Sequence, residues 1–399
     1  MAKIKLLDGA MGTNLIAAGM PKGTCTEKWI LENSDVVKNL QSEYINGGSD
    51  IIYAPTFGAN SAVLAREGDL DVSINGKLVA LTKELADGKN VLVAGDISST
   101  GLMLKPYGSA SFEDVVSVFA EQAAELEKAG VDMFVIETSI SLKEATAAYY
   151  GVRSVSRKPV FVTFTVENGS RTLSGESAEA CAVALGAKGA CGVGVNCSDG
   201  GKNVLESVKR IAAYSDVEFI IAKPNAGLPT VEGDKITYSQ SPEEFALFCK
   251  QLAAAGATHI GGCCGTTPKH IAALGKDLPD VGERAKKNGI FATDGRDVFE
   301  VTDNVELPEK VVCDDFLLFN LPEPEEASCF RIYVDEDSFS VFDETPLTGL
   351  PLVIDGSSYG AVEKALRVYS GRAILDRETN LSREEKQKLR ENYGVIIFD

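Results

Sequence analysis

Histidine is almost missing from this 399-residue chain, which holds only His259 and His270. Most catalytic zinc centres use histidine, so a transition-metal site here has to be rich in sulfur. Long apolar runs are missing too. No stretch approaches the 18 or so consecutive apolar residues of a membrane span, and the opening MAKIKLLDGAMG shows no signal-peptide pattern. A basic excess is also absent. The net charge of −19 argues against nucleic acid and against anionic membranes, because both need basic patches. Nine cysteines, an odd number spread over a long chain, do not read as a secreted disulfide framework. A reducing cytoplasm is the expected location.

What is present is a regular alternation. Short apolar runs occur at 4–8, 50–57, 90–98, 131–139, 158–166, 192–199, 218–227 and 258–265. Their β-branched content suits strands buried on both faces. Helix-like segments separate most of them and carry clear end signals. SFEDVVSVFAEQAAELEKAG starts on Ser111 as N-cap and stops at Gly130. SPEEFALFCKQLAAAG combines Ser241, Pro242 and Glu244 at its start with Gly256 at its end. Eight strands alternating with helices over about 280 residues predict an α/β fold built on a (β/α)8 barrel. An open doubly wound sheet is the alternative, and no strand leads into a G-x-G-x-x-G turn that would support it.

GGCCGTTP, residues 261–268, sets two cysteines side by side among glycines. A disulfide between them is opposed by geometry: adjacent Cα atoms lie about 3.8 Å apart, and disulfides prefer roughly 4.4–6.8 Å. Either Cys263 and Cys264 are small buried hydrophobes, or they grip one metal ion. The strand ends bear on the choice. Strand one ends in Asp8, strand four in Glu137, strand six in Asn196-Cys197, strand seven in Pro224-Asn225 and strand eight in Cys263-Cys264. In a barrel these ends meet at one mouth, so three thiols from two neighbouring strands can converge there, with two carboxylates opposite. Gly262 and Gly265 allow the backbone to leave regular strand, which both thiols need in order to face one ion. Cys181, Cys191, Cys249, Cys313 and Cys329 read as packing residues, and Cys25 lacks neighbours with ligand character.

LLDGAMGTNL, SDIIYAPTF, VIETS, GVNCSD, KPNAGLPT and GGCCGTTPKHI follow one another along roughly the first 280 residues. Together they resemble the homocysteine S-methyltransferase family, in the form of the homocysteine-binding zinc domain that opens cobalamin-dependent methionine synthase. The resemblance implies Zn2+ held by Cys197, Cys263 and Cys264. It implies that Asp8 and Glu137 hold the amino group of homocysteine, with backbone N–H groups around Gly9 and Ala10 near its carboxylate. It places Asn225 of the PNAG motif at the open metal position before substrate arrives. Two departures stand out: Pro55, where the family usually has Asn, and Ser139-Ile140, where an acidic residue is common. Asp8 and Glu137 could otherwise form a general acid/base pair of the glycosidase kind.

Beyond residue 285 the pattern changes. We expect domains at 1–285 (barrel), 286–345 (an acidic linker with a small β region, including DD, EPEE, DED and the strand-like FRIYV) and 346–399 (a small α/β unit). In the last, LPLVIDGSS, GRAILD and YGVIIFD supply strands. One intervening helix buries Val362, Ala365, Leu366 and Tyr369, and the other opens on a Ser382–Glu385 capping box. A segment around PLVIDGSS resembles part of the pterin-binding barrel of methionine synthase, but a full barrel needs at least about 200 residues. The unit is therefore either a remnant of that barrel or a generic interaction module. The function expected is zinc-dependent methyl transfer to the thiol of homocysteine, giving methionine. A methylcorrinoid (methylcobalamin) on a separate protein is the expected donor, with a methylfolate-binding protein as a further partner. The alternatives are a non-catalytic thiol-holding subunit, or an enzyme using S-methylmethionine or betaine.

Overall fold

The computed structural model describes residues 3–68, 70–198, 201–232, 235–304, 306–313, 327–337, 342–343 and 347–398. Each of the eight expected runs contains a strand. These are β1 (Lys5–Leu6), β2 (Ile51–Tyr53), β3 (Leu92–Ile97), β4 (Met133–Ser139), β5 (Val160–Phe164), β6 (Gly192–Cys197) and β7 (Phe219–Pro224). A hairpin of β8 (Pro229–Glu232) and β9 (Lys235–Tyr238) then intervenes before the last barrel strand, β10 (His259–Ile260). The eight strands form one parallel sheet in the order β1-β10-β7-β6-β5-β4-β3-β2, and a parallel bridge from Leu7 to Ile51 joins its two edges. Closure rules out the open-sheet alternative.

Two apolar layers hold the barrel. Strand residues such as Ile52, Val93, Phe134, Val162 and Ile220 are buried under the helices, while Leu7, Ile51, Tyr53, Ala94, Met133, Val135, Phe161 and Ile221 form a separate packed cluster. Within that cluster the period of two is visible, with 51 and 53, 133 and 135 sharing a side. Close packing leaves no room at Gly194, where a Cβ would stand 1.9 Å from the Ile221 carbonyl oxygen. The helix signals hold: Ser111–Asp114 and Ser241–Glu244 form capping boxes.

Polar residues just ahead of the strands stitch neighbours together. Asp50, preceding β2, accepts the Leu6 N–H at 2.8 Å and pairs with Lys5 at 3.2 Å. Asp132, preceding β4, accepts the Val93 N–H at 2.7 Å, and the Thr258 hydroxyl, preceding β10, accepts that of Ile220 at 2.9 Å.

After the barrel, β11 (Ile290–Thr293) and β12 (Val298–Val301) pair antiparallel. A second parallel sheet follows, ordered β13 (Val311–Val312), β14 (Phe330–Val334), β15 (Leu352–Gly356) and β16 (Ile374–Leu375). Ile396 extends it by a bridge to Ile374. Helices Tyr359–Val368 and Arg383–Tyr393 connect the last strands, and the second begins with the Ser382–Glu385 box. Val362, Ala365, Leu366 and Tyr369 are buried. FRIYV is thus β14 and joins the same sheet as β15. The DD and EPEE clusters lie outside the described residues. No helix among the described residues is long and apolar enough to cross a membrane.

Asp50→Ala removes the acceptor for Leu6 N–H where the barrel closes. The expected loss is about 1–3 kcal/mol of unfolding free energy, the cost of a buried donor left unmet. Urea denaturation of the two proteins measures it.

Candidate active site

The backbone at the mouth brings the three thiols together. Cys197 closes β6 with φ of 57°, and Ser198 follows at 70°. Thr138, at the end of β4, has φ of 60° beside a register shift between Ile136 and Ser139. Left-handed backbone at a β-branched residue is strained and collects at functional sites. Past β10, Gly262 N–H donates to the Asp8 carbonyl at 2.9 Å and Cys263 N–H to that of Pro224 at 2.8 Å. Ala226 N–H then reaches Cys264 O at 3.0 Å. These bonds tie the Cys263-Cys264 turn to β1 and β7. Glycine is required on both sides of the pair. A Cβ on Gly262 would meet Thr266 Oγ1 at 2.4 Å, and one on Gly265, at φ of +78°, would meet the Tyr238 ring at 2.2 Å.

The sulfurs of Cys197, Cys263 and Cys264 all lie within 4.8 Å of one another. All nine cysteines are free. The strands that supply the trio are not neighbours, because β7 runs between β6 and β10. The end of β7 therefore sits at the centre of the group, and Asn225 follows it. Asn225 Nδ2 donates to the Ser198 carbonyl at 3.0 Å, while its buried Oδ1 has no partner. Asn196 Nδ2 donates to Thr138 Oγ1 at 2.8 Å and lies 3.8 Å from Cys263 Sγ. Its Oδ1 accepts from Thr138 N and from the Thr163 hydroxyl, both at 2.9 Å. Hydrogen bonds from Cys263 and Cys264 hold the Cys197 thiol down to about 3, while the same sharing pushes Cys264 up. Three mutually supporting sulfurs and an orphaned amide oxygen make a donor set suited to a soft divalent cation.

Beside the thiols is a buried charge cluster. Lys223 Nζ lies 2.8 Å from Asp8 Oδ1, 3.9 Å from Glu137 Oε2 and 3.6 Å from the centre of the Tyr53 ring. Asp8 Oδ2 accepts the Tyr53 N–H at 2.8 Å. Burial pushes Glu137 up to about 7, and burial with the Glu137 charge carries Asp96 well above the carboxylate range. Burial would lower Lys223, but Asp8, Tyr53 and Glu137 hold it above its ordinary value. Glu137 Oε2 and Asp96 Oδ1 are buried without hydrogen-bond partners. Three carboxylates thus share one internal cation.

Asp8, Glu137, Asn225 and the three cysteines therefore meet at one mouth. Ala10 N–H is already donated to Thr266 Oγ1 at 3.0 Å, and Gly9 packs against Tyr44 and Thr266. Lys223, Asp96 and Tyr238 were not among the residues singled out in the sequence. The first two were within reach of counting: Ala94–Asp96, Val135–Glu137 and Ile221–Lys223 are each two residues apart, so a barrel-facing residue predicts its successor. Tyr238 arrives on the β8–β9 hairpin, with its phenol beside Cys264, and no pattern in the chain marks it.

The other cysteines and both histidines are structural. Cys181, Cys249, Cys313 and Cys329 are fully buried, and Cys191 donates to the Val160 carbonyl at 3.2 Å. Cys25 lies 3.6 Å from Glu27 Oε2. His259 packs edge-on against Phe161 and Phe219, and burial lowers it to about 4. His270 caps its own helix through Thr267. A cleft of about 580 Å³ beside the mouth, lined by Met103, Ile140 and Leu173 together with Phe342 and Tyr369, does not include the thiols.

Residues 5–278 match the model of the homocysteine S-methyltransferase family. The chain belongs to that family. Among solved structures it resembles the metallated form of the homocysteine methyltransferase MmuM from Escherichia coli, at 24% identity and a TM-score of 0.58, over 69% of this chain and 96% of that one. The oxidised form of the same enzyme matches at 24% identity and a TM-score of 0.57, over 68% and 94%. These likenesses concern the fold.

Lys223→Met leaves Asp8 buried without its cation and is expected to cost about 3–5 kcal/mol. Adding Asp8→Asn to that variant should recover a large part of the loss. Chemical denaturation of the single and double variants checks both statements.

Proposed function

We propose that the chain transfers a methyl group to the thiol of homocysteine, forming methionine, with Cys197, Cys263 and Cys264 holding a zinc ion. The observation that carries the reading is the trio of sulfurs within 4.8 Å of one another beside the orphaned Asn225 Oδ1. Bound by three thiolates, zinc would carry a formal charge of about −1 and would favour the ionised, still electron-rich form of the substrate sulfur. Asn225 guards the remaining position. Asn196, anchored by Thr138 and Thr163, orients Cys263 from behind.

The charge cluster fits the substrate's amino acid end. Asp8 has both oxygens engaged, by Lys223 and by Tyr53 N–H, whereas Glu137 keeps one buried oxygen unpartnered. Glu137 is therefore the principal grip on the substrate ammonium, with Asp8 and Lys223 holding the pocket's shape. The thiolate then attacks the methyl carbon. The new C–S bond forms as the old bond breaks, and its electron pair stays with the departing donor. The thiol proton is released when the substrate binds.

For the donor we favour a methylcorrinoid carried on a separate protein. The PNAG motif and the short pterin-like segment support this. The rim supports it as well. Phe57, Met103, Ile140, Leu173 and Leu228 are exposed on loops that follow barrel strands, and Ile16 is exposed on the helix that follows β1. Clustered exposed apolar residues mark protein contact sites. A free small donor needs no such rim. We read residues 1–285 as the catalytic unit, with 286–345 and 346–399 appended to it, in a cytoplasmic protein.

Purified protein is expected to hold about one zinc with sulfur ligands near 2.3 Å, and Cys263→Ser should lose it. X-ray absorption reads both. A histidine-dominated shell, or full retention of metal by the variant, would sink the metal assignment. Glu137→Gln should keep the zinc yet raise the KM for homocysteine roughly tenfold or more, the cost of about one charged contact. In a single-chain assay, methylcobalamin should serve as donor and methyltetrahydrofolate should not. Turnover with methyltetrahydrofolate and no added corrinoid would overturn the donor assignment.

A further inference from the structure

At the opposite end of the barrel, a cleft of about 450 Å³ opens between helix Leu142–Val155 and the two C-terminal helices. Its lining is basic in a chain whose net charge is −19. Arg153, Arg157, Lys188 and Arg367 contribute the basic groups, and Glu391 is the one acidic residue lining it. Arg367 is neutralised by Glu113, at 2.5 and 3.0 Å. Among the described residues, Arg153, Arg157 and Lys188 form no ion pair. Arg153 donates to Tyr149 Oη and the Lys158 carbonyl, and Arg157 to the Arg153 carbonyl. Lys188 is 5% exposed, its amino group meets the Gly371 carbonyl at 2.7 Å, and burial lowers it to about 7, so that an anion beside it would restore its charge.

A second observation points to a ligand. Tyr150 lines the same cleft and is 7% exposed, and its hydroxyl has no hydrogen-bond partner. Burial keeps that phenol protonated, so it is a donor without an acceptor. A buried donor left unmet is unfavourable, and the Arg367 guanidinium lies 5.0 Å from the centre of the Tyr150 ring. An acceptor bearing negative charge satisfies this donor and the unpaired basic groups at once.

We propose that this cleft binds a phosphate-bearing small molecule, held by Arg153, Arg157, Lys188 and the Tyr150 hydroxyl. Planar guanidinium groups match phosphate oxygens two at a time. The volume exceeds that of a phosphate ion alone, leaving room for an organic group beside the rings of Tyr149 and Tyr393, which also line the cleft. Because the walls come from the barrel on one side and from the C-terminal helices on the other, the ligand would clamp the two together. The site stands independently of the methyl-transfer reading, since none of its residues lies at the barrel mouth.

Calorimetric titration of the full chain with inorganic phosphate and with adenosine monophosphate, at matched ionic strength in chloride, tests this. The expected result is saturable binding of at least one probe, the monophosphate being tighter if the organic group is also recognised. Two variants identify the site. Arg153→Gln with Arg157→Gln alters partly or fully exposed side chains, and Tyr150→Phe removes only the orphan hydroxyl and should not lower the unliganded Tm. Each is expected to weaken binding about tenfold, the scale of a lost charge-assisted hydrogen bond. Absence of saturable binding by both probes, or binding that either variant leaves unchanged, overturns the proposal.

Discussion

Inside the barrel one buried ammonium, that of Lys223, answers to Asp8 just past β1, Asp96 on β3 and Glu137 on β4. Desolvating that many carboxylates is affordable only when cations accompany them. The imbalance is local and directional. Asp8 is closely paired, whereas Glu137 and Asp96 keep oxygens without partners. The excess of carboxylates over cations leaves the cluster formally net negative within the described residues. The same cluster fixes the geometry of the mouth, because it links strands on opposite sides of the barrel through a side chain that is itself packed on the Tyr53 ring.

The thiols depend on a different constraint. Regular strand would turn Cys263 and Cys264 to opposite faces. β10 instead ends at Ile260, and the glycines beyond it allow the chain to be pulled onto the ends of β1 and β7 by backbone hydrogen bonds. Left-handed backbone at Thr138, Cys197 and Ser198 adds strain to the same rim. Strain persists where surrounding structure over-determines it. Here Asn196, bonded to Thr138 and Thr163 and close to Cys263, supplies that surround.

The C-terminal sheet does not enter the mouth. Its helices dock on the outside of the barrel through Arg367–Glu113, through Lys188 and the Gly371 carbonyl, and through aromatic contacts such as Tyr150–Tyr393 at 6.2 Å between ring centres. Polar docking of this kind, with a cleft left between the units, is typical of inter-domain surfaces that can respond to ligands. The apolar rim around the mouth remains open on its Phe57 and Leu228 side.

Much of this was written along the chain. The strand spacing, the helix caps at Ser111, Ser241 and Ser382, and the GGCC pair all depend on neighbours a few residues apart, which sequence displays directly. Closure through Leu7 and Ile51 followed from the strand count. The sequence alone did not show that β7 would lie between the strands bearing the thiols, or that Lys223 would occupy the pocket expected for Asp8 and Glu137. Nor did it show that the β8–β9 hairpin would bring Tyr238 over Gly265. Each of these depends on contacts between residues tens to hundreds of positions apart. Local periodicity tells which side of a strand a residue faces. Only the closed barrel decides which other residues face it there, because charge balance and close packing are properties of the assembled interior and not of any one segment.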